Sequence, residues 1–270
     1  MCVYVTLQDE AGNPLQRKDE ESYFFRQSKY QDRLVKHIKE NPDFILPKER
    51  SDLILSRLEE PLRDLSSSRN TFSWGVPIPG SDKHVMYVWF DALSNYLTGV
   101  DYHVDGSPLK DFWPCNAHII GKDIIWFHCV IWPCMLMACD IPLPKTIFAH
   151  GFVNDGEGKK MSKSIGNVVD PLAVLAETGP DTLRYFLAKQ SNFGSDLNFS
   201  KNDLKAIHNS DLADVLGNLV HRATHLCQKM CGGKVPDVTC EYPFDLNALI
   251  NGAENAISRY GWDCFFWKWD

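Results

Sequence analysis

Apolar positions along this chain fall into two patterns, short continuous runs and helix-spaced stripes. The runs are Val85-Met86-Tyr87-Val88-Trp89-Phe90, Ala117 to Ile120 and Thr146 to Ala149. Each reads as a strand, and the first, continuous and rich in β-branched and aromatic residues, has the pattern of one buried on both faces of a parallel sheet. Asp91 to Tyr96 begins a helix after the first run, and Ile124 onward begins one after the second, where Pro133 should kink it. Strands alternating with helices predict an α/β fold. Earlier, Val3 to Leu7 reads as a strand and Asp9 to Pro14 as a turn. Ser22 to Glu40 carries a helical stripe that Asn41-Pro42 ends, and Ser51 should cap a second helix running toward Leu58. Leu62 to Arg69 reads as a polar connector, and Trp74 to Gly80 as an extended segment with turn residues. Beyond Thr146 the signals are helical. Asp170-Pro171 is an N-cap with its first residue, Gly179-Pro180 a stop, and Ser200 with Asp203 a capping box. From Leu204 to Met230 the stripe keeps a helical period until Gly232-Gly233, so the chain ends in an all-helical tail.

Composition narrows the class. The 270 residues are 44% hydrophobic and 23% charged, enough to bury a core. A net charge of −7 gives no global attraction to a polyanion, so contact with nucleic acid must come from a local basic patch. Nine cysteines, at 2, 115, 129, 134, 139, 227, 231, 240 and 264, form no Cys-x-x-Cys pair; no zinc site is legible, and a reducing compartment is expected. The start lacks a signal-peptide pattern and no apolar run reaches membrane-spanning length.

Two stretches carry chemistry. Lys160-Met161-Ser162-Lys163-Ser164 follows the turn residues Asn154-Asp155-Gly156-Glu157-Gly158 and closes at Gly166-Asn167. Lysines clustered on a loop are mobile point charges that can follow an anionic leaving group. Gly121-Lys122-Asp123 stands at the carboxyl end of a predicted strand, where ligands of open α/β sheets bind. Ile124, His128 and Trp132 follow at spacings of four and should share one helix face, as a side-chain pocket or as core. A Walker A reading fails, because Glu157 stands where its lysine should be.

In these motifs the chain resembles the methionyl-tRNA synthetase family of class I aminoacyl-tRNA synthetases. Lys160 to Ser164 matches the class's second signature, and Tyr87 to Leu93 and Gly121 to His128 resemble methionine-specific neighbours of it. Asp64 to Arg69 is similar to the family's lead from its connective region into the second half of the catalytic fold. The resemblance implies the second half of a class I Rossmann-type nucleotide-binding fold followed by an all-helical anticodon-binding module. The implied partition is a connective remnant over 1–82, the second half of the catalytic fold over 83–170, stem-contact linker helices over 171–200, and a truncated anticodon-binding domain over 201–270. The implied activity is ATP-dependent activation of methionine and its transfer to tRNA, with Mg²⁺ accompanying ATP. Lys160 and Lys163 are the catalytic lysines by this resemblance, and Gly121, Lys122, Asp123, Lys160, Met161 and Lys163 bind ATP. Trp89, Ala92, Tyr96, Ile124, His128 and Trp132 form the methionine pocket, where aromatic rings suit a thioether. Asn218 and Arg222, four apart on one helix face, are the anticodon readers.

The departures set further expectations. The His-Ile-Gly-His signature and the family's knuckle cysteines are absent, and the aromatic end Trp262 to Asp270 matches no family helix. A truncated piece is expected, inactive alone, marginally soluble, and complemented by a separate N-terminal half. The setting is cytoplasmic, with an organellar parent also compatible. The alternatives are a non-catalytic tRNA-binding or complementing fragment, a class I synthetase of other specificity, and a nucleotidyl transferase.

Overall fold

A computed structural model describes residues 20–190, 194–238 and 244–258. The strand and turn expected over Val3 to Pro14 and the aromatic end from Trp262 lie outside the described residues. In chain order the elements begin with β1 (Phe24–Phe25), α1 (Gln31–Glu40), β2 (Ile45–Leu46), α2 (Lys48–Arg57), β3 (Leu65–Ser66), β4 (Ser68–Arg69), β5 (Val85–Met86) and α3 (Val88–Thr98). Next come β6 (His118–Gly121), α4 (Trp132–Ala138), β7 (Ile147–His150), β8 (Val153–Asn154), α5 (Pro171–Thr178) and α6 (Pro180–Gln190). The last are β9 (Leu197–Asn198), α7 (Lys201–Ile207), α8 (Asn218–Cys231) and α9 (Leu246–Ser258). The chain gathers into two compact units, described separately: residues 20–44, 51–117 and 126–146 form the first, and residues 45–50, 118–125 and those from 147 onward the second.

In the first unit, several sequence expectations give way to tertiary pairing. Phe24 and Phe25 are not helical; they pair antiparallel with Ser66 and Leu65, which turns the expected polar connector into strands. Aromatic residues fit a pleated surface once a partner strand is present, and that overrides their helical spacing. The helical stripe therefore starts at Gln27 as a 3₁₀ turn and becomes α1 at Gln31. Ser51 is not a cap but a buried residue inside α2, which opens at Lys48 directly after Pro47. The run from Val85 to Phe90 is a strand only as far as Met86. It pairs antiparallel with β4 instead of joining a parallel sheet. Tyr87 stays extended and α3 begins at Val88, whose side chain is 61% exposed. A short apolar run cannot by itself separate strand from helix. The core here is Leu93, Trp113, Ile131, Trp132 and Leu136, all buried.

The expected kink at Pro133 takes a particular form. Phe127–Ile131 is a π-helical segment, and α4 starts at Trp132 with the proline in its first turn. The π register, with the Trp132 N–H donating to the Phe127 carbonyl, accommodates the proline's missing donor inside a helix that runs on from Ile125.

The second unit holds a three-stranded parallel sheet in the order β2-β7-β6, with Ile45 opposite Ile147 and His118 opposite Ile147 on its other side. Two of its strands are the apolar runs expected; β2 is a third that two residues gave no means of seeing. Below the sheet in sequence, α5, α6 and α7 bury Val174, Leu183, Phe186 and Leu204 together with Phe199. Asp170 caps α5 by accepting from the Leu172 N–H at 2.9 Å, and Gly179 ends it with φ of 79°. Ser200 caps α7 by accepting from the Asp203 N–H at 3.3 Å. His208–Gly217 is π-helical, so the helical stripe of the tail is not a single α-helix. α8 then runs to Gly232, which closes it in the left-handed region.

Candidate active site

The lysine loop is built on a tight hairpin. The Asp155 N–H donates to the Lys159 carbonyl, and the Gly158 N–H donates back to the Asp155 carbonyl. The Asp155 carboxylate accepts from the Glu157 N–H at 3.0 Å and the Lys159 N–H at 2.8 Å, and from the Asn167 amide at 2.8 Å. These bonds, that of Asn167 first, hold its pKa below the usual carboxylate range. Asn167 joins both arms of the loop: its Oδ1 accepts from the Ser162 N–H at 2.8 Å and its Nδ2 donates to the Lys160 carbonyl at 3.2 Å. Met161 anchors the loop from below, packing against the Val174–Phe186 cluster while its Sδ accepts from the Val169 N–H at 3.5 Å. Lys160 and Lys163 are exposed. The arrangement is a braced scaffold that presents two exposed cations.

In the same unit, β6 ends at Gly121 and runs into a 3₁₀ turn, Lys122–Ile124. A Cβ on Gly121 would stand 2.7 Å from Asp123 Oδ1, so glycine lets that carboxylate fold back over the strand end. Asp123 is exposed and does not cap the turn, whose N-cap is Gly121 without a side-chain bond. The Lys122 ammonium is engaged with Asp196 at 2.6 Å.

The first unit carries the aromatic group. Trp89 stacks on Phe127 with centroids 3.7 Å apart, and the Tyr96 hydroxyl and His128 Nε2 share a hydrogen bond of 2.8 Å. Tyr96 also lies 6.1 Å from the Trp132 ring. His128 and Trp132 are 2% and 1% exposed, whereas Ala92 is exposed and Trp89 and Tyr96 half-buried. The group is thus a wall with two buried members behind an open front on α3. Burial raises the Tyr96 pKa, and Cys115 adds to the effect, so the phenol stays protonated at neutral pH. Ile124 ends the 3₁₀ turn of the second unit, and the π segment that carries His128 begins at Phe127.

Asn218 and Arg222 are both exposed on α8, with Leu219, Val220, Leu226 and Met230 also at least half exposed there. Of four further residues with contacts at these sites, Phe152 and Asp196 stood in no motif, while Asp155 and Arg69 lay in motifs that gave them no role. Asp155 and Phe152 stand beside the loop, and Asp196 lies in the lead to β9. Arg69 lays its guanidinium 4.4 Å from the Tyr87 ring centroid and donates to Ser66 Oγ at 2.8 Å. The turn residues around Gly156 signalled Asp155. Asp196 had no local signal, since its partners are remote in sequence.

A family profile described as "tRNA synthetases class I (M)" matches residues 8–224. The chain belongs to this family. Among curated relatives of this class I synthetase chain, it is 51% identical over 246 residues to the methionine–tRNA ligase of Brucella suis biovar 1 (strain 1330), covering 91% of this chain and 47% of that protein. It is 46% identical over 253 residues to the methionine–tRNA ligase of Oceanobacillus iheyensis, covering 93% and 37%. Among solved structures, Mycobacterium tuberculosis methionyl-tRNA synthetase bound by methionyl-adenylate is 45% identical, with a TM-score of 0.79 over 93% of this chain and 49% of that one. The class I synthetase chain therefore spans about half the length of the relatives it matches or less. The fold class expected from the motifs agrees with this likeness.

Proposed function

We propose that the chain is the part of a methionine–tRNA ligase that handles the leaving pyrophosphate and the methionine side chain. The single observation carrying this reading is the exposed pair Lys160 and Lys163 on a loop braced by Asn167 and Asp155. In the reaction, the methionine carboxylate attacks the α-phosphorus of ATP, the bond to the β-phosphate oxygen breaks, and pyrophosphate leaves. Charge grows on the departing phosphates, and cations positioned there stabilise the transition state more than the ground state. Lys163 and Lys160 fill that role. Gly121 and Asp123 take the ribose, Asp123 accepting from its hydroxyls, while Met161 and Lys122 fix the loop and the turn. Trp89, Ala92, Tyr96, His128 and Trp132 receive the thioether, with Ile124 at the lead into that segment. Asn218 and Arg222 take unstacked anticodon bases of the tRNA. Magnesium accompanies the nucleotide, with phosphate oxygens among its ligands.

The reading pairs these residues with the half of the catalytic fold that bears the His-Ile-Gly-His signature. Among the described residues β6 is an edge strand with Ile119 63% exposed, a template for one more strand. The setting is the cytoplasm; among the described residues no helix is long and apolar enough to cross a membrane.

Methionine-dependent ATP–pyrophosphate exchange tests the proposal, on the chain alone and mixed with the N-terminal half of a methionyl-tRNA synthetase. Exchange is expected only in the mixture. Lys163→Ala should lower it on the order of 10²- to 10³-fold. Exchange by the chain alone would show the missing signature to be dispensable. Retained tRNA binding with no exchange in either sample would favour a non-catalytic tRNA-binding piece.

A further inference from the structure

Phe152, between β7 and β8, has two ammonium groups against its ring. Lys122 Nζ stands 4.6 Å from the ring centroid and Lys160 Nζ 4.4 Å. One lysine comes from the turn after β6, the other from the lysine loop. Both meet at a ring that no motif includes. The ring's backbone is fixed by Asp196, whose Oδ1 accepts from the Phe152 N–H at 2.9 Å and from Lys122 Nζ at 2.6 Å. The Lys122 and Asp196 side chains are 25% and 38% exposed, so this pair is better shielded than an ordinary surface ion pair. Its position follows from a close approach of two segments remote in sequence. A Cβ on Gly151 would lie 2.0 Å from the Ser195 carbonyl oxygen, so only glycine lets the two segments approach this closely. Leu197 N–H then donates to the Phe152 carbonyl at 2.8 Å, and β8 and β9 pair in parallel, Val153 opposite Leu197. The Asp196 carboxylate is held below its ordinary pKa, by Lys122 first and the Phe152 N–H second.

We infer that Asp196 is a positioning residue that divides the lysines between two tasks. It ties Lys122 down as a tether, and it sets the Phe152 ring as the resting place from which Lys160 reaches the leaving phosphates. An ammonium already 2.6 Å from a carboxylate gains little by turning to a phosphate, whereas one resting on a ring keeps its donors free. The inference rests on the adenylation reading for the identity of the anion, but not for the geometry.

The test is NMR of the chain with ¹³C-labelled lysine ε-methylenes, whose protons shift upfield over an aromatic ring. Phe152→Leu should return both the Lys122 and Lys160 signals to random-coil positions, which assigns the probe. Asp196→Ala should do the same with the methyl signals of Val174 and Leu183 unchanged. If Asp196→Ala fails to fold, Asp196→Asn decides. Its amide oxygen still accepts from the Phe152 N–H, so the Lys160 shift should stay while the Lys122 shift is lost. A Lys160 shift untouched in Asp196→Ala, or both shifts kept or both lost in folded Asp196→Asn, would overturn the inference. Titrating the wild-type chain with inorganic pyrophosphate should move the Lys160 and Lys163 signals and leave Lys122 in place. A moving Lys122 refutes the tether. Failure of methionine-dependent exchange would count against the adenylation reading alone, since the ring shifts are read without catalysis.

Discussion

Asn167→Ala removes the residue that closes the lysine loop, and its effect can be worked from the bonds it makes. The Ser162 N–H donates to Asn167 Oδ1 in a partly buried setting, and Asn167 Nδ2 donates to the Lys160 carbonyl at the surface. A hydrogen bond between neutral groups contributes about 0.5–1.5 kcal/mol net, so the buried one is taken at about 1 and the exposed one at about 0.5 kcal/mol. The third bond, to the Asp155 carboxylate, is left out, so the sum is a lower bound. About 1.5 kcal/mol corresponds to roughly a tenfold rise in the open population of the loop. Hydrogen exchange at Ile165 and Gly166 reports this opening, because both amides donate to the Ser162 carbonyl and not to the Asn167 side chain. Their protection should fall about tenfold, and tryptic cleavage after Lys160 and Lys163 should quicken in step. Asn167→Asp is the stricter variant. It keeps an acceptor for the Ser162 N–H but sets a carboxylate against that of Asp155, 2.8 Å from the replaced amide. Loosening at neutral pH that recovers as one carboxyl protonates is expected. Protection at Gly166 within twofold of wild type in both variants would refute the claim that Asn167 braces the loop.

Three further outcomes follow from the same geometry. Tyr96→Phe takes one hydrogen-bond partner from His128, which is 2% exposed, and should lower stability by about 1–2 kcal/mol in urea unfolding. Asp155, Glu177, Asp196 and Asp211 all have depressed folded pKa values. Their contribution is full above the unfolded carboxylate range of about 4 and is lost as pH falls through the depressed values, so urea midpoints should hold between pH 7 and 5 and drop below pH 4. Burial pushes the Cys134 thiol up to about 12 and Cys129 higher still, while Cys139 and Cys231 are exposed. A thiol reagent should label the exposed pair in the native chain and reach Cys129 and Cys134 only on unfolding.

What was legible in the sequence depended on whether the cause was local. Asp170-Pro171, Gly179-Pro180 and Ser200 with Asp203 declare helix ends because a cap is made by residues within three positions of it, and all three stand in the structure. The runs at β6 and β7 were legible because each is a mostly apolar stretch of strand length, and the two pair in parallel over four residues, although only β7 is central to the sheet. The strand at β1 was not, since Phe24 and Phe25 are extended only through their pairing with Leu65 and Ser66, about forty residues away. The site divides the same way. Lys160 to Ser164 and Gly121 to Asp123 are contiguous words, but Asp196 holds Lys122 across 74 positions and nothing near it announces the contact.

The segment from Gly121 to Trp132 shows what spacing can and cannot carry. Spacings of four put Ile124, His128 and Trp132 on one face only if the backbone stays α-helical from start to end. Pro133 forbids that. In an α-helix its nitrogen would be asked to donate to the Cys129 carbonyl, which it cannot do, and its ring would crowd that oxygen. The chain instead passes from a 3₁₀ turn at Lys122–Ile124 through two α-helical residues, Ile125 and Trp126, and the π segment Phe127–Ile131 to α4 at Trp132. The π register, in which the Trp132 N–H donates to the Phe127 carbonyl, takes up the proline's missing donor. Ile124 ends the turn after β6, His128 meets the Tyr96 hydroxyl and Trp132 the Tyr96 ring. Single-turn π segments recur at functional sites because they re-aim side chains without breaking a helix. Here the imidazole and the indole are brought to α3 by a proline that a simple helical reading treats only as a defect.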